Sequence, residues 1–323
     1  TPEENKAKIV KNWLPRYTER KLEDFTKYIL LTNFTKYVEL FAETFNVPIL
    51  GLKSSMPNAS AEGITIINFG MGSANAATIM DLLSAIKPKA VLFLGKCGEL
   101  KKSNNLGDYL LPIAAIRGEG TSDEYLPKEV PSLPAFSMLR AISSAIRDQG
   151  RDYWTGTVYT TNRRVWEYDN EFKSYLVKTH ATGIDMETAT LLTAGFANEI
   201  PTGALLMISD KPMDESGVKT EESDKLVTQN FAPEHVNLGI EALRQIIKGN
   251  KTIRHIRFRK KKKNMAKKEY TFEELSRDIV QKKFSPVYFF MGEEPFFMDK
   301  LTDLLINNVL SEEEKDFNQL VFY

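Results

Sequence analysis

From Tyr28 to Ile247 the chain alternates short apolar runs with segments of helical period, and few architectures accept that order. Tyr28-Ile29-Leu30-Leu31 reads as a strand, and Phe34, Val38, Phe41 and Phe45 then fall on one face of a helix. Ile64-Thr65-Ile66-Ile67 leads through a glycine turn into a helix expected from about Ser73 to Ile86. Val91-Leu92-Phe93-Leu94 and Tyr109-Leu110-Leu111-Pro112-Ile113 read as strands, Phe136 to Arg147 as a helix, and Thr157-Val158-Tyr159 as a strand. Ala189 to Ala197 looks helical, Ala204-Leu205-Leu206-Met207-Ile208 looks like a buried strand, and Val236 to Ile247 is an amphipathic closing helix. Such alternation predicts an α/β domain with helices covering both faces of a sheet.

The charge balance hides a break. The 323 residues carry 43 Lys+Arg and 43 Asp+Glu, which argues against a dedicated nucleic-acid coat or membrane-surface protein. Yet Lys251 to Lys268 holds ten Lys/Arg and no acid. Like charge at that density repels itself and reads as a linker or tail, with nucleic-acid contact as the other reading. One cysteine excludes an internal disulfide framework, and His180, His235 and His255 have no paired ligand spacing, so no metal is expected. No apolar run is long enough to span a bilayer and the polar start does not read as a signal peptide. The expectation is a soluble, cytoplasmic protein.

In α/β sheets ligands bind beyond the carboxyl ends of strands, which draws attention to four segments. Gly70-Met71-Gly72-Ser73 is a strand-to-helix turn with Ser73 as its expected N-cap, either a ligand approach or simply a turn. Gly95-Lys96-Cys97-Gly98 follows an apolar strand. It reads either as amides and a cation on one ligand edge or as a tight turn with an exposed Lys and a half-buried Cys. Ile184-Asp185-Met186-Glu187-Thr188 enters a helix, so its acids either complement the helix dipole or accept hydrogen bonds from sugar hydroxyls. Ser209-Asp210-Lys211-Pro212 ends a buried strand and makes Asp210 either a general acid or a turn residue.

Together, and in this order, the four segments resemble the nucleoside phosphorylase and nucleosidase superfamily over residues 1–250. Leu106-Gly107-Asp108-Tyr109-Leu110-Leu111-Pro112 and Gly118-Glu119-Gly120-Thr121-Ser122 with Tyr125 match it too. Within it, Leu31-Thr32-Asn33-Phe34 with Tyr37, Thr155-Gly156-Thr157-Val158 and Trp166-Glu167 are similar to the AMP nucleosidases. The resemblance implies a three-layer α/β/α domain with a central mixed sheet, a homo-oligomer, no cofactor, and hydrolysis of AMP to adenine and ribose 5-phosphate. It implies Asp210 as general acid on the purine and Glu187 on the ribose hydroxyls, with Met186 under the sugar and Trp166 over a purine face. Asn33, Gly72, Gly95, Lys96, Cys97, Gly98 and Ser209 complete the implied substrate-binding set, and Arg163, Arg164, Arg117 and Lys36 are candidates for the 5′-phosphate. Phosphorylases of the superfamily hold orthophosphate with an Arg and a Ser where this chain has Phe93 and Lys96, a departure that favours water. A purine nucleoside phosphorylase is the second enzymatic reading.

From Met265 the text changes. Phe272-Glu273-Glu274-Leu275, Ser285-Pro286-Val287-Tyr288-Phe289-Phe290 and Gly292-Glu293-Glu294-Pro295 resemble the N-terminus of bacterial DNA polymerase III delta subunits. The expected organisation is a catalytic domain over 1–250, a basic linker over 251–264 and a partial α/β segment over 265–323, as a read-through of two genes would produce. A DNA-replication accessory protein is the non-enzymatic alternative.

Overall fold

The computed structural model describes residues 2–214, 217–249, 270–285, 288 and 295–310. The chain divides into two compact units, Thr1–His255 and Ile256–Tyr323. The Lys-rich stretch read as a linker lies outside the described residues.

The first unit opens with helix α1 (Pro2–Thr18), which the sequence pattern did not announce. Then come β1 (Tyr28–Thr32), α2 (Thr35–Phe45), β2 (Asn58–Ala61), β3 (Ile64–Asn68), α3 (Ser73–Leu83), β4 (Ala90–Glu99) and β5 (Tyr109–Gly118). They are followed by α4 (Phe136–Asp148), β6 (Trp154–Thr161), α5 (Asn170–Thr179), β7 (Gly183–Asp185), α6 (Thr188–Ala197), β8 (Thr202–Asp210) and α7 (Glu221–Gly249). The closing helix starts well before its expected position, because the polar first turns of α7 carry no apolar stripe to reveal them.

Strand alternation sorts the core into two clusters, one on each side of the sheet. Ile29, Leu31, Val91 and Phe93 point toward α1, α3 and α6. Leu30, Leu92 and Leu94 point toward α2, α4 and α7. This is a three-layer α/β/α arrangement around a mixed sheet, and the sheet has a further property. β4 pairs with β8, β8 with β5, β5 with β6, β6 with β7, and β7 returns to β4, so five strands close on themselves. β1, β3 and β2 extend outward from β4.

β4 is therefore the strand where the sheet forks. One edge is paired with β8 from Val91 to Gly98. On the other, β1 pairs from Ala90 to Leu94 and β7 takes over at Gly98 and Glu99. Among the described residues Gly95, Lys96 and Cys97 have no strand partner on that edge, and the cleft left there receives the carboxyl ends of β1 and β7. Sheet topology, more than any loop, positions the site.

In the second unit, α8 (Phe272–Val280) starts in a capping box in which Thr271 and Glu274 satisfy each other's backbone N–H groups. It packs against α9 (Pro295–Val309), with the Phe272 and Phe297 rings 5.0 Å apart. Most of the delta-like motif over 285–290 lies outside the described residues. Among the described residues no helix is long and apolar enough to cross a membrane.

A buried histidine pins α7 to the sheet. His235 Nε2 donates to the Leu205 carbonyl at 3.0 Å, which leaves Nδ1 to accept from the Tyr37 hydroxyl at 2.9 Å. Burial holds its pKa down at about 3. A histidine depressed in the fold and free near 6.5 when unfolded contributes stability above pH 6.5 that is lost as pH falls toward 3, at about 1.4 kcal/mol per unit. Melting curves from pH 7 to 4 should show the native chain losing stability faster than His235→Gln, which starts lower at pH 7 but has the flatter profile. Equal slopes would remove His235 as the acid-sensitive group.

Candidate active site

Glu187 stands where β7 turns into α6, on the cleft side of the fork. It is 3% exposed. Its Oε1 accepts the Gly72 N–H at 2.7 Å and its Oε2 the Met186 N–H at 3.3 Å, and the nearby Asn33 carboxamide also favours its ionised form. Gly72 presents that N–H at φ 93°, in the left-handed region where a side chain is strained. Burial, then the charge of Asp185, push the Glu187 carboxyl up to about 7 against the lowering effect of these donors.

Asp185 is itself buried and holds the turn rigid. It accepts the Thr160 hydroxyl at 2.7 Å, the Thr188 N–H at 2.8 Å and the Thr188 hydroxyl at 2.5 Å, and burial shifts its pKa upward. Ser73, expected as an N-cap, is instead the first residue of α3 and donates to the Met186 carbonyl at 2.7 Å. The glycine before it occupies the cap position, and the hydroxyl ties the two glycine- and acid-bearing turns together. Asn33, Gly72, Met186 and Glu187, far apart in sequence, are thus brought into one cluster.

Asp210 ends β8 on the opposite edge of β4. It sits beside Gly98, where an added Cβ would come within 3.2 Å of Asp210 Oδ2 and 2.8 Å of Pro212 Cγ. Glycine is required here because the acid and its proline lie directly against the strand. Ser209 donates to Asp210 Oδ1 at 2.6 Å, and the Lys219 ammonium lies 3.5 Å from the same oxygen. Lys219 is also 3.4 Å from Asp224, which in turn pairs with Lys96 at 2.9 Å. Neither Lys219 nor Asp224 was visible as a site residue in the sequence. Both come from the segment around the unannounced start of α7.

Two expectations about Gly95-Lys96-Cys97-Gly98 change. The segment is not a turn but the interior of β4, and its Lys is buried rather than exposed. The pleat sends Lys96 and Cys97 to opposite faces. The Cys97 thiol is fully buried, and burial followed by the charges of Asp185 and Asp210 pushes its pKa up, away from nucleophilic use. The Lys96 ammonium lies over the Phe34 ring at 4.4 Å and is bound to Asp224 and Thr228 of α7. Burial lowers its pKa, opposed by Asp224.

Trp166, expected over a purine face, packs instead as a core aromatic with Tyr159, Leu176 and Ile184, edge-on to Phe172 at 5.5 Å. Among the phosphate candidates, Arg117 spends its guanidinium on Ser122, Asp123 and the carbonyls of Leu126, Pro127 and Val130, which fixes the loop after β5. Arg163 pairs with Asp169, Arg164 with Glu167, and Lys36 with Glu39 and Glu43, all at the surface. Among the described residues no group of three or more His, Cys, Asp or Glu is placed to hold a metal.

The Phosphorylase superfamily model matches residues 27–246. The crystal structure of AMP nucleosidase from Bacteroides thetaiotaomicron is 68% identical and superposes with a TM-score of 0.69, covering 76% of this chain and 98% of that one. AMP nucleosidase of Escherichia coli K12 is 29% identical across 71% of this chain, which spans 57% of that protein's length. Purine nucleoside phosphorylase from Toxoplasma gondii, at 20% identity and a TM-score of 0.62, shares the fold, covering 72% of this chain and 96% of its own.

The raised pKa of Glu187 has a consequence for stability. Its folded value near 7 lies above the free value near 4.5, so its contribution is present below pH 4.5 and lost as pH rises through 7, by about 3 kcal/mol. Glu187→Gln should therefore gain melting temperature relative to the native chain at pH 8 but not at pH 5. An equal difference at both pH values would show that the carboxyl is not strained by burial.

Proposed function

The chain belongs to the phosphorylase superfamily, and from that premise we propose that it hydrolyses the N-glycosidic bond of AMP to adenine and ribose 5-phosphate. The similarity to AMP nucleosidases supports the substrate. The choice of water over orthophosphate is carried by one observation. The cation in β4 is already neutralised by Asp224, while Phe93 fills its place in the core against Phe69. An anionic nucleophile at this strand would meet a spent lysine and an aromatic ring.

Adenine leaves poorly as an anion, so it must be protonated as the bond breaks. Asp210 is the general acid, worth on the order of 10²–10⁴ in rate. The Lys219 ammonium beside it offsets the carboxylate charge left after transfer. The ribose then approaches an oxocarbenium ion, and hydrogen bonds from its hydroxyls to Glu187 strengthen as that charge develops. Glu187 suits this role because both its oxygens are already oriented by backbone N–H groups from two different turns. Arg117 drops out of the phosphate ligands, having no donor to spare.

Asp210→Asn should lower kcat by at least about 100-fold while KM stays within a few fold, since the amide keeps the shape but delivers no proton. Near-normal turnover would reduce Asp210 to a turn residue. Adenine release must also proceed in phosphate-free buffer; release that requires orthophosphate would favour the phosphorylase reading.

We place all of this chemistry in residues 1–250 and treat 251–264 as a linker. A chain ending at Asn250 should retain AMP hydrolysis and melt within a few degrees of the full chain. Loss of either would make the second unit an integral part of the enzyme.

A further inference from the structure

We propose that Asn33 holds the attacking water, with Oδ1 accepting a hydrogen bond from it on the ribose face bound by Glu187. This rests on the nucleosidase reading above. Asn33 follows directly after β1, at the point where β1 leaves the edge of β4. Its carboxamide lies near enough to Glu187 to favour the ionised carboxylate, as a donor does, so the NH₂ group is the side turned to it. Oδ1 is then left as a buried acceptor with no partner among the described residues. A buried acceptor of this kind is costly unless something donates to it.

The stereochemistry of the substrate says what that donor is. In a β-ribonucleotide the 2′- and 3′-hydroxyls project from the face opposite the purine, and displacement at C1′ comes from that same face. A group that holds the hydroxyls therefore stands beside the nucleophile's path. Glu187 is that group, and Asn33 is the neighbour with a free acceptor. The purine end is marked by Asp210 on the other edge of β4, so acid and water are separated by the strand.

The C1′–N9 bond breaks with its electron pair passing to the purine, which takes the Asp210 proton. The water oxygen forms the new bond to C1′, and the proton it sheds passes to the Glu187 carboxylate, whose pKa near 7 makes it basic enough to accept. Exchange with solvent returns Glu187 to the carboxylate and recharges Asp210. Asn33 orients the water and takes no proton, as an amide oxygen is too weak a base.

The test is AMP turnover by the full chain in water–methanol mixtures, comparing the native protein with Asn33→Ala and Asn33→Asp. The native chain should give ribose 5-phosphate almost alone. Asn33→Ala should lose about 100-fold in kcat with KM within threefold, and the fraction captured as methyl ribofuranoside 5-phosphate should rise severalfold as the water loses its cradle. Asn33→Asp, which keeps an acceptor at that place, should recover at least about tenfold of the loss. Melting temperature and ribose 5-phosphate affinity check that both variants fold and bind. Unchanged methanol capture, a loss confined to KM, or an aspartate no better than alanine would each overturn the role. Adenine release by the native chain that depends on orthophosphate would overturn the nucleosidase reading itself, and is visible before any variant is made.

Discussion

The first unit depends on β4 pairing with three strands along its ten residues. A strand has two edges, and β8 occupies one of them for most of its length. The other is shared in sequence by β1 and then β7, and the handover leaves Gly95 to Cys97 open. Backbone groups there face a cleft rather than a ladder, and the chain ends that diverge from it carry Asn33 and Glu187. The same pairing fixes Asp210 beside Gly98 on the far edge. The strands that carry acid and carboxylate thus lie on either side of β4, two inter-strand spacings or about 10 Å apart in the hydrogen-bonding direction.

Burial of charge follows from that arrangement. Asp185 and Glu187 lie two residues apart and both are buried, which alone would favour the neutral acids. Asp185 is compensated by three donors from Thr160 and Thr188, and Glu187 by Gly72, Met186 and Asn33. The compensation is uneven, and Glu187 is left with a pKa near neutrality. A group poised there responds to small changes in its surroundings, as a bound ribose would impose. On the opposite face, Lys96 is buried with Asp224 as its counter-ion, and the pair ties β4 to the first turn of α7. Removing Asp224 would leave the buried Lys96 ammonium without its counter-ion, whereas Asp224 without Lys96 keeps Lys219.

The segment between β8 and α7 links the two sides. Lys219 reaches both Asp210 and Asp224, so the acid, the lysine of β4 and the start of α7 form one line of alternating charge. His235, further along α7, anchors the same helix to β8 through the Leu205 carbonyl. The helix is therefore held near its start by a buried ion pair and further along by a neutral hydrogen-bonded ring, with the Arg151–Glu234 and Arg244–Glu62 ion pairs added at the surface.

The alternation of apolar runs and helical periods determined the α/β class and the two-faced core, because burial enforces periods of 2.0 and 3.6 residues whatever the partners are. Local chemistry also marked Gly72, Asp185, Glu187, Ser209 and Asp210, since glycines and acids at strand ends are unusual unless a turn or a ligand needs them. The sequence was silent on which strands would be neighbours, and pairing partners leave no mark in a single chain. The closed ring, the fork in β4 and the open edge at Gly95 to Cys97 were decided only by tertiary structure. So were the fates of single side chains. Lys96 and Trp166 looked equally available in one dimension, but the pleat turned the lysine onto α7 and the packing of α5 enclosed the tryptophan. Lys219 and Asp224 became neighbours of the site only through the start of α7, whose polar first turns carry no periodic signal.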